Sequence, residues 1–139
     1  MANSDPLPAG HHVARACLRR SYQDGVVLPA AFALRERDRG RLSTDWVECP
    51  YAPASERDQD GARRRMSAAL NLRTSEPVTI LPVNRVRACA VDDHRLDAVE
   101  DWSGRNQCHT AIVGFAVPGN GTELLLQSLL AQAVVAVVT

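Results

Sequence analysis

The chain contains no lysine, and all sixteen of its basic residues are arginine. Sixteen acidic residues balance them, so the formal net charge is zero. A neutral chain has no overall field to attract a polyanion or an acidic membrane surface, which argues against nucleic-acid and membrane partners. The absence of lysine is typical of GC-rich coding. It also fits a chain that works beside chemistry that modifies amines, or one that uses planar guanidinium groups to pair with carboxylates at an interface.

Aromatic residues and long hydrophobic runs are also scarce. Aromatics make up 4% of the chain, so the core must be mainly aliphatic. Residues 1–10 lack the basic and apolar regions of a signal peptide. The longest apolar stretch, residues 124–138, is interrupted by polar side chains and is too short to cross a bilayer. By elimination we expect a cytoplasmic protein whose four cysteines, Cys17, Cys49, Cys89 and Cys108, are free thiols.

The size and patterning of the chain predict one domain. A chain of 139 residues with 45% hydrophobic and 23% charged residues is long enough to bury a single core. We expect residues 1–10 to form a flexible leader and residues 11–139 to form the domain. Because helical and strand patterns do not alternate strictly, the expected class is α+β, with a largely antiparallel sheet packed by two or three helices, including an apolar C-terminal helix.

Local patterns predict the elements along the chain. They comprise a short helix over 12–20, a strand starting at Val26, a hairpin whose arms contain Phe32 and Leu42, a helical turn at Trp46, a helix from Ser55 to Arg73, strands over 78–81 and 86–90, a helical turn around Leu96, Val99 and Trp102, and a buried strand over 111–117.

The last predicted helix has the clearest pattern. Asn120 can cap it, and Glu123 stands three residues later as in a capping box. Its polar residues form one thin stripe, while Leu and Val occupy the remaining circumference up to Val138. A helix that is apolar over most of its surface must be buried on more than one side, either between a sheet and other helices or against another subunit.

The segment between residues 89 and 109 holds the candidates for chemistry. Cys89, His94, Cys108 and His109 include the nitrogen and sulfur donors that zinc prefers, although the chain lacks a Cys-x-x-Cys pair. A thiol enzyme would use Cys108 or Cys89 as nucleophile, His94 or His109 as base, and a neighbouring carboxylate such as Asp93 to orient the base. The alternative is that Cys89 is a small buried hydrophobe. No phosphate-binding, dinucleotide-binding or serine-hydrolase motif is present, and we predict no cofactor.

The leading functional hypothesis is a non-catalytic accessory or protein-binding subunit of a bacterial multi-protein system. Two short segments, 42–46 and 108–114, resemble segments of accessory proteins from bacterial multi-gene systems. We expect the chain to dock on a larger protein, or to self-associate, through apolar and arginine-containing surface. The candidate contact residues are Leu125, Leu129, Trp46, Trp102 and Arg64. The alternative is a small cysteine/histidine-dependent or metal-dependent enzyme that uses residues 89–109.

Overall fold

The fold is built on one six-stranded antiparallel sheet. A computed structural model describes residues 5–35, 38–70, 76–102, 104, 106–115 and 121–139. The sheet strands are β1 (His12–Ala16), β4 (Leu42–Trp46), β5 (Val78–Pro82), β8 (Asp97–Glu100), β9 (His109–Val113) and β10 (Ala136–Val138). Their spatial order is β10-β5-β1-β4-β9-β8. Two small hairpins, β2 (Tyr22–Gln23) with β3 (Val26–Val27) and β6 (Ala90–Val91) with β7 (His94–Arg95), complete the strands that the structure describes.

Three α-helices pack against this sheet: α1 (Gln59–Leu70), α2 (Val83–Ala88) and α3 (Gly121–Ala133). Short 3-10 helices occupy Arg19–Ser21, Pro29–Phe32 and Ala54–Glu56. The expected α+β class is therefore confirmed. Within the described residues, no helix is long and apolar enough to span a bilayer.

The helix predicted to start at Ser55 begins at Gln59 instead. Asp58 caps it, because its Oδ1 accepts a hydrogen bond of 2.7 Å from the backbone N–H of Gly61. A Cβ at Gly61 would lie 2.1 Å from the carbonyl oxygen of Glu56. The glycine that weakens this helix by propensity is thus required for the close approach of the preceding segment.

The sheet has apolar clusters on both faces because neighbouring residues of a strand point to opposite sides. Ala14 and Ile80 pack with Met66 of α1 in the smaller cluster. Val13 and Leu81, their strand neighbours, belong to the main core. The main core also contains Val83 and Val86 of α2, Leu126 and Leu130 of α3, and Phe32 of the second 3-10 helix. The α1 helix therefore covers one face, and α2 and α3 cover the other.

The N-terminal segment covers the outer edge of β8. Pro6 forms a bridge with Val99, and the backbone N–H of Leu7 donates a 3.0 Å hydrogen bond to the carbonyl oxygen of Ala98. Leu7 is buried in the main core, and Arg87 donates to its carbonyl oxygen. The expected leader therefore joins the fold from Asp5 onward, while residues 1–4 lie outside the described residues.

Two predicted helical segments near the N-terminal half are wrong. Residues 12–16 form β1, a strand flanked by β5 and β4 in the sheet. The turn predicted at Trp46 is the end of β4, and the first arm of the predicted hairpin is the 3-10 helix Pro29–Phe32. Buried positions on both faces of β1 remove the alternation that identifies a strand in the sequence, so tertiary packing overrides the local pattern.

The opposite error occurs at residues 86–90. Val83 and Val86 are buried three residues apart on α2, whereas the sequence alternation around Arg85 and Arg87 favoured a strand. Residues 96–102 were predicted to contain a helical turn, but they contain β8. The last helix ends at Ala133, and the β-branched residues after it form part of β10. The predicted cap Asn120 and residues 116–117 of the predicted buried strand lie outside the described residues.

The expectation of four free thiols is also wrong. Cys49 and Cys108 form a disulfide, while Cys17 and Cys89 are free and buried. The bond joins the segment after β4 to the residue before β9, and β4 pairs with β9 along the sheet. The pairing of these strands brings together two cysteines that are 59 residues apart, a proximity that their spacing does not reveal.

We predict that reduction of this disulfide lowers the free energy of unfolding by about 4 kcal/mol, the chain-entropy value for a loop of this length. Denaturant unfolding with and without reductant measures the difference. The double variant Cys49→Ser and Cys108→Ser is the control, because its stability should not respond to reductant. Four titratable thiols in the unfolded, non-reduced chain, instead of two, would contradict the bond.

Candidate functional site

The predicted chemical residues of the 89–109 segment lie in two separate places. Asp93 and His94 belong to the β6–β7 hairpin, next to the start of β8. Cys108 and His109 lie at the start of β9, which is level with the end of β8 because Glu100 pairs with Thr110. The four residues of β8 lie between the two places, which are therefore about 13 Å apart along the strand. Within the part of the chain that the structure describes, no group of three or more His, Cys, Asp or Glu side chains is placed to hold a metal ion.

Neither candidate nucleophile is presented as a reactive thiolate. Cys108 is bonded to Cys49. Cys89 is buried in the main core, and its thiol donates to the carbonyl oxygen of Arg85 at 3.3 Å. Burial raises the pKa of the Cys89 thiol to about 11, so the thiolate is scarce at neutral pH. This environment is that of a structural cysteine.

His109 is held by the residue that follows β8. Its Nδ1 lies 2.7 Å from the carbonyl oxygen of Asp101 and 3.4 Å from the Oδ2 atom of the same residue. Because a carbonyl oxygen only accepts, Nδ1 carries the proton, and in the neutral ring Nε2 is then an acceptor. The ring borders a cavity of about 240 Å³ together with Asp45 and Asn106. Asp45 lies directly opposite His109 in the β4–β9 ladder.

Asp45 is the buried carboxylate of this region. Its Oδ2 lies 3.1 Å from Nη2 of Arg65, and its Oδ1 accepts a hydrogen bond of 3.0 Å from Nδ2 of Asn106. Burial raises the pKa of Asp45, and the hydrogen bond from Asn106 and the charge of Arg65 oppose this shift. Arg65 also donates to the carbonyl oxygen of Trp46. The pair therefore links α1 to the end of β4.

The five predicted contact residues do not form one surface. Trp46 is buried in the main core, and its indole N–H donates to Nδ1 of His11 at 2.9 Å. Trp102 is half-buried and packs edge-to-face with Tyr51 at 5.4 Å between ring centroids. Arg64 is exposed on α1, whereas Leu125 is exposed and Leu129 half-buried on α3. Leu129 packs against the main core, and neither residue of the α3 pair shares a surface with Trp46, Trp102 or Arg64.

Helix α3 has a reversed distribution of polar and apolar residues. Glu123 and Gln127 are buried, with 6% and 5% of their surfaces exposed, and Gln127 donates to Glu123 at 3.3 Å. Leu124 and Leu125 are 65% and 56% exposed. The sequence indicates an almost entirely apolar circumference and a helix buried on more than one side, but it does not show in which direction the thin polar stripe faces. In the structure the first two residues of this stripe, Glu123 and Gln127, face inward, whereas Ser128 is half-buried and Gln132 is exposed. Leu126 and Leu130 are buried in the main core, and Leu124 and Leu125 face outward.

A groove of about 660 Å³ adjoins this helix. The β2–β3 hairpin supplies Val26 and Val27, α3 supplies Ser128 and Ala131, and the chain entering β10 supplies residues 134–137. No described strand pairs with the outer edge of β10, in contrast to the edge of β8, which the N-terminal segment covers. An open strand edge presents unpaired backbone donors and acceptors, and here it borders the apolar groove.

Six large hydrophobic side chains are exposed among the described residues, and two of them, Val26 and Val135, line this groove. Leu124 and Leu125 lie on α3 about one turn before its groove-lining residue Ser128, and the other two are Leu18 and Tyr51. Sequence reasoning missed the groove because it extended α3 to Val138 and did not identify β10. One signal was available: Glu123 is the only ionisable side chain among residues 121–139.

We predict that Cys89 reacts slowly with iodoacetamide in the folded chain. At pH 8 a pKa of about 11 in place of the ordinary 9.0 lowers the thiolate fraction about hundredfold. The measurement is the alkylation rate of the Cys17→Ala variant, in which Cys89 is the remaining free thiol, in buffer and in urea. Equal rates in the two solvents would contradict the buried, unactivated thiol.

The comparisons with known proteins add no functional residue. Neither family models, nor curated proteins, nor solved structures contain a match to this chain. The groove beside β10, the cavity beside His109 and the disulfide are the features on which a function can be argued.

Proposed function

We propose that the chain is a protein-binding accessory subunit, and that its binding surface is the groove between the β2–β3 hairpin, α3 and the edge of β10. The observation that carries the proposal is the reversed polarity of α3. Glu123 and Gln127 are buried while Leu124 and Leu125 face outward. Exposed leucines on the helix that forms one wall of an apolar groove are unfavourable in water and become favourable when a partner covers them.

The proposed occupant is an extended, apolar segment of a partner protein that adds a strand to β10. Three features support this choice over a second copy of the chain. The groove is concave, with walls formed by the hairpin and α3, so a narrow extended chain fits it better than another groove of the same shape. The floor offers a strand edge with which no described strand pairs, and this edge can form backbone hydrogen bonds. Val26 and Val135 offer apolar contacts for alternate side chains of the added strand.

Among the residues that the structure describes, nothing gives the edge of β10 the usual protection against pairing. Natural edge strands are commonly blocked by charged side chains, proline or bulges, or they are covered by another segment. Residues 136–138 are Ala-Val-Val, and the other sheet edge, at β8, is covered by the chain itself. This difference between the two edges supports a specific role for β10 in pairing with a partner.

The cytoplasmic location remains a proposal. The disulfide Cys49–Cys108 argues against this location, because such bonds persist mainly in oxidising compartments. A thiol count on the chain isolated from cells under acid quenching tests this point: four thiols favour the cytoplasm, and two favour an oxidising compartment.

We predict that eight-residue peptides selected from a phage-displayed library on the immobilised chain will be rich in β-branched residues and will bind in the groove. The double variant Val26→Glu and Val135→Glu should weaken their binding about tenfold or more, because it places carboxylates on both sides of an apolar site. Both positions are exposed in the free chain, so the fold should be retained. Fluorescence anisotropy measures the affinity, and Leu18→Glu, at an apolar position 52% exposed outside the groove, is the matched control.

Peptides that carry N-methyl groups on alternate residues separate strand addition from simple apolar contact. Both alternating sets of N-methylated peptides retain their side chains. In one set the methyl groups replace the N–H groups that would donate to β10, and in the other set those N–H groups remain. The affinity should therefore fall for the first set and not for the second. Equal affinity for both sets, or equal binding to the double variant, contradicts the proposal. A wild-type dimer in sedimentation equilibrium that the double variant abolishes would overturn the peptide occupant in favour of a second copy.

A further inference from the structure

A second site lies between β1 and β4, near α1 and away from the groove. These strands pair only at two positions, Val13 with Trp46 and Ala14 with Asp45. Beyond Ala14 they separate, and Nη1 of Arg15 spans the gap by donating to the carbonyl oxygen of Ser43 at 2.7 Å. The cavity of about 240 Å³ opens at this separation. A gap inside a sheet is costly unless the backbone polar groups around it have hydrogen-bond partners, and Arg15 supplies such a partner here.

The charge of Arg15 is incompletely compensated. Its Nε donates to the carbonyl oxygen of Ala31 at 2.8 Å, so two of its five N–H groups bind backbone oxygens. Among the described residues, no carboxylate lies within ion-pair distance of Arg15. Burial lowers the pKa of Arg15 to about 10, and the more distant Asp38 opposes this shift. The guanidinium is still charged at neutral pH.

Counting the described residues, the groups around the cavity leave one positive charge without a counter-ion. Arg35 lines the cavity and pairs with Asp38 at 3.5 Å, so this single carboxylate serves both Arg35 and the more distant Arg15. The other acidic residue of the lining, Asp45, pairs with Arg65. A partly buried guanidinium without its own counter-ion is favourable only when an anion is supplied.

We propose that this cavity binds a small organic monocarboxylate, with the carboxylate on the free donors of Arg15 and Arg35. One unbalanced charge calls for a monoanion, and a guanidinium presents parallel N–H donors that match the two oxygens of a carboxylate. Asn106 and His109 border the cavity and provide polar groups for the remainder of the ligand. The volume is below that of pockets for drug-sized ligands, which limits the ligand to a few heavy atoms.

Propionate and propionamide are the probes, because they have the same shape and differ in charge. Their binding is followed at constant ionic strength through the side-chain Nε–H resonance of Arg15 in two-dimensional ¹H–¹⁵N spectra of the full chain. Propionate should give a saturable shift, and propionamide should give none. Inorganic phosphate should bind more weakly than propionate. Equal responses to propionate and propionamide, a shift that never saturates, or tighter binding of phosphate would each overturn the monocarboxylate assignment.

Substitutions locate the site. Arg15→Gln, followed through the side-chain amide resonances of Asn106, which also lines the cavity, should abolish the saturable response that propionate gives there in the wild-type chain. Arg35→Gln should weaken propionate binding by about tenfold, the effect of one charge-assisted hydrogen bond. If Arg15→Gln does not fold, Ala69→Glu tests the proposal instead. Ala69 is an exposed residue of α1 that lines the cavity, and a carboxylate there should repel propionate and weaken its binding. Arg64→Gln, an exposed arginine of the same helix outside the lining, is the matched control. Equal weakening by Arg64→Gln and Arg35→Gln would overturn the proposal.

Discussion

The ion pair between Asp45 and Arg65 is the contact that holds α1 against its face of the sheet. Asp45 stands on β4 between β1 and β9, and Arg65 reaches it from α1. Placing both charges in a poorly solvated site carries a desolvation cost, which further hydrogen bonds must offset. Asn106 supplies one to Asp45, and the carbonyl oxygens of Glu56 and Trp46 accept from Arg65. The pair thereby fixes α1, β4 and the segment before β9 relative to one another.

The residues after Asp45 extend this junction along the chain. Trp46 binds His11, the carboxylate of Glu48 lies 2.6 Å from Nδ1 of His12, and Cys49 is bonded to Cys108. Four of five consecutive residues are thus joined to another segment through their side chains. This density of contacts explains why β4 pairs tightly at this end and can separate from β1 at the other, where Arg15 and the cavity lie.

The sequence was most informative where one pattern had no competitor. Residues 78–81 combine β-branched and apolar side chains between prolines, and they form β5 as predicted. Residues 12–16 and 83–88 fit both a helical and a strand period, because five or six residues cannot separate repeats of 3.6 and 2.0. Their structures were decided by neighbouring strands and by the main core. The disulfide and the Asp45–Arg65 pair also depend on strand pairing, so no local pattern could have revealed them.

Helix α3 shows that a correctly predicted apolar helix does not reveal which of its residues face the solvent. The sequence shows directly how many residues of the helix are apolar. The direction in which its polar stripe faces depends on the side chains of the other elements that pack against the helix. Glu123 and Gln127 face inward together with Leu126 and Leu130 of the main core, whereas Leu124 and Leu125 face outward. The chain after α3 then adds to the sheet as β10 instead of continuing the helix. The proposed binding function rests on the groove between α3, the β2–β3 hairpin and the uncharged edge of β10, and on the exposed leucines of the same helix.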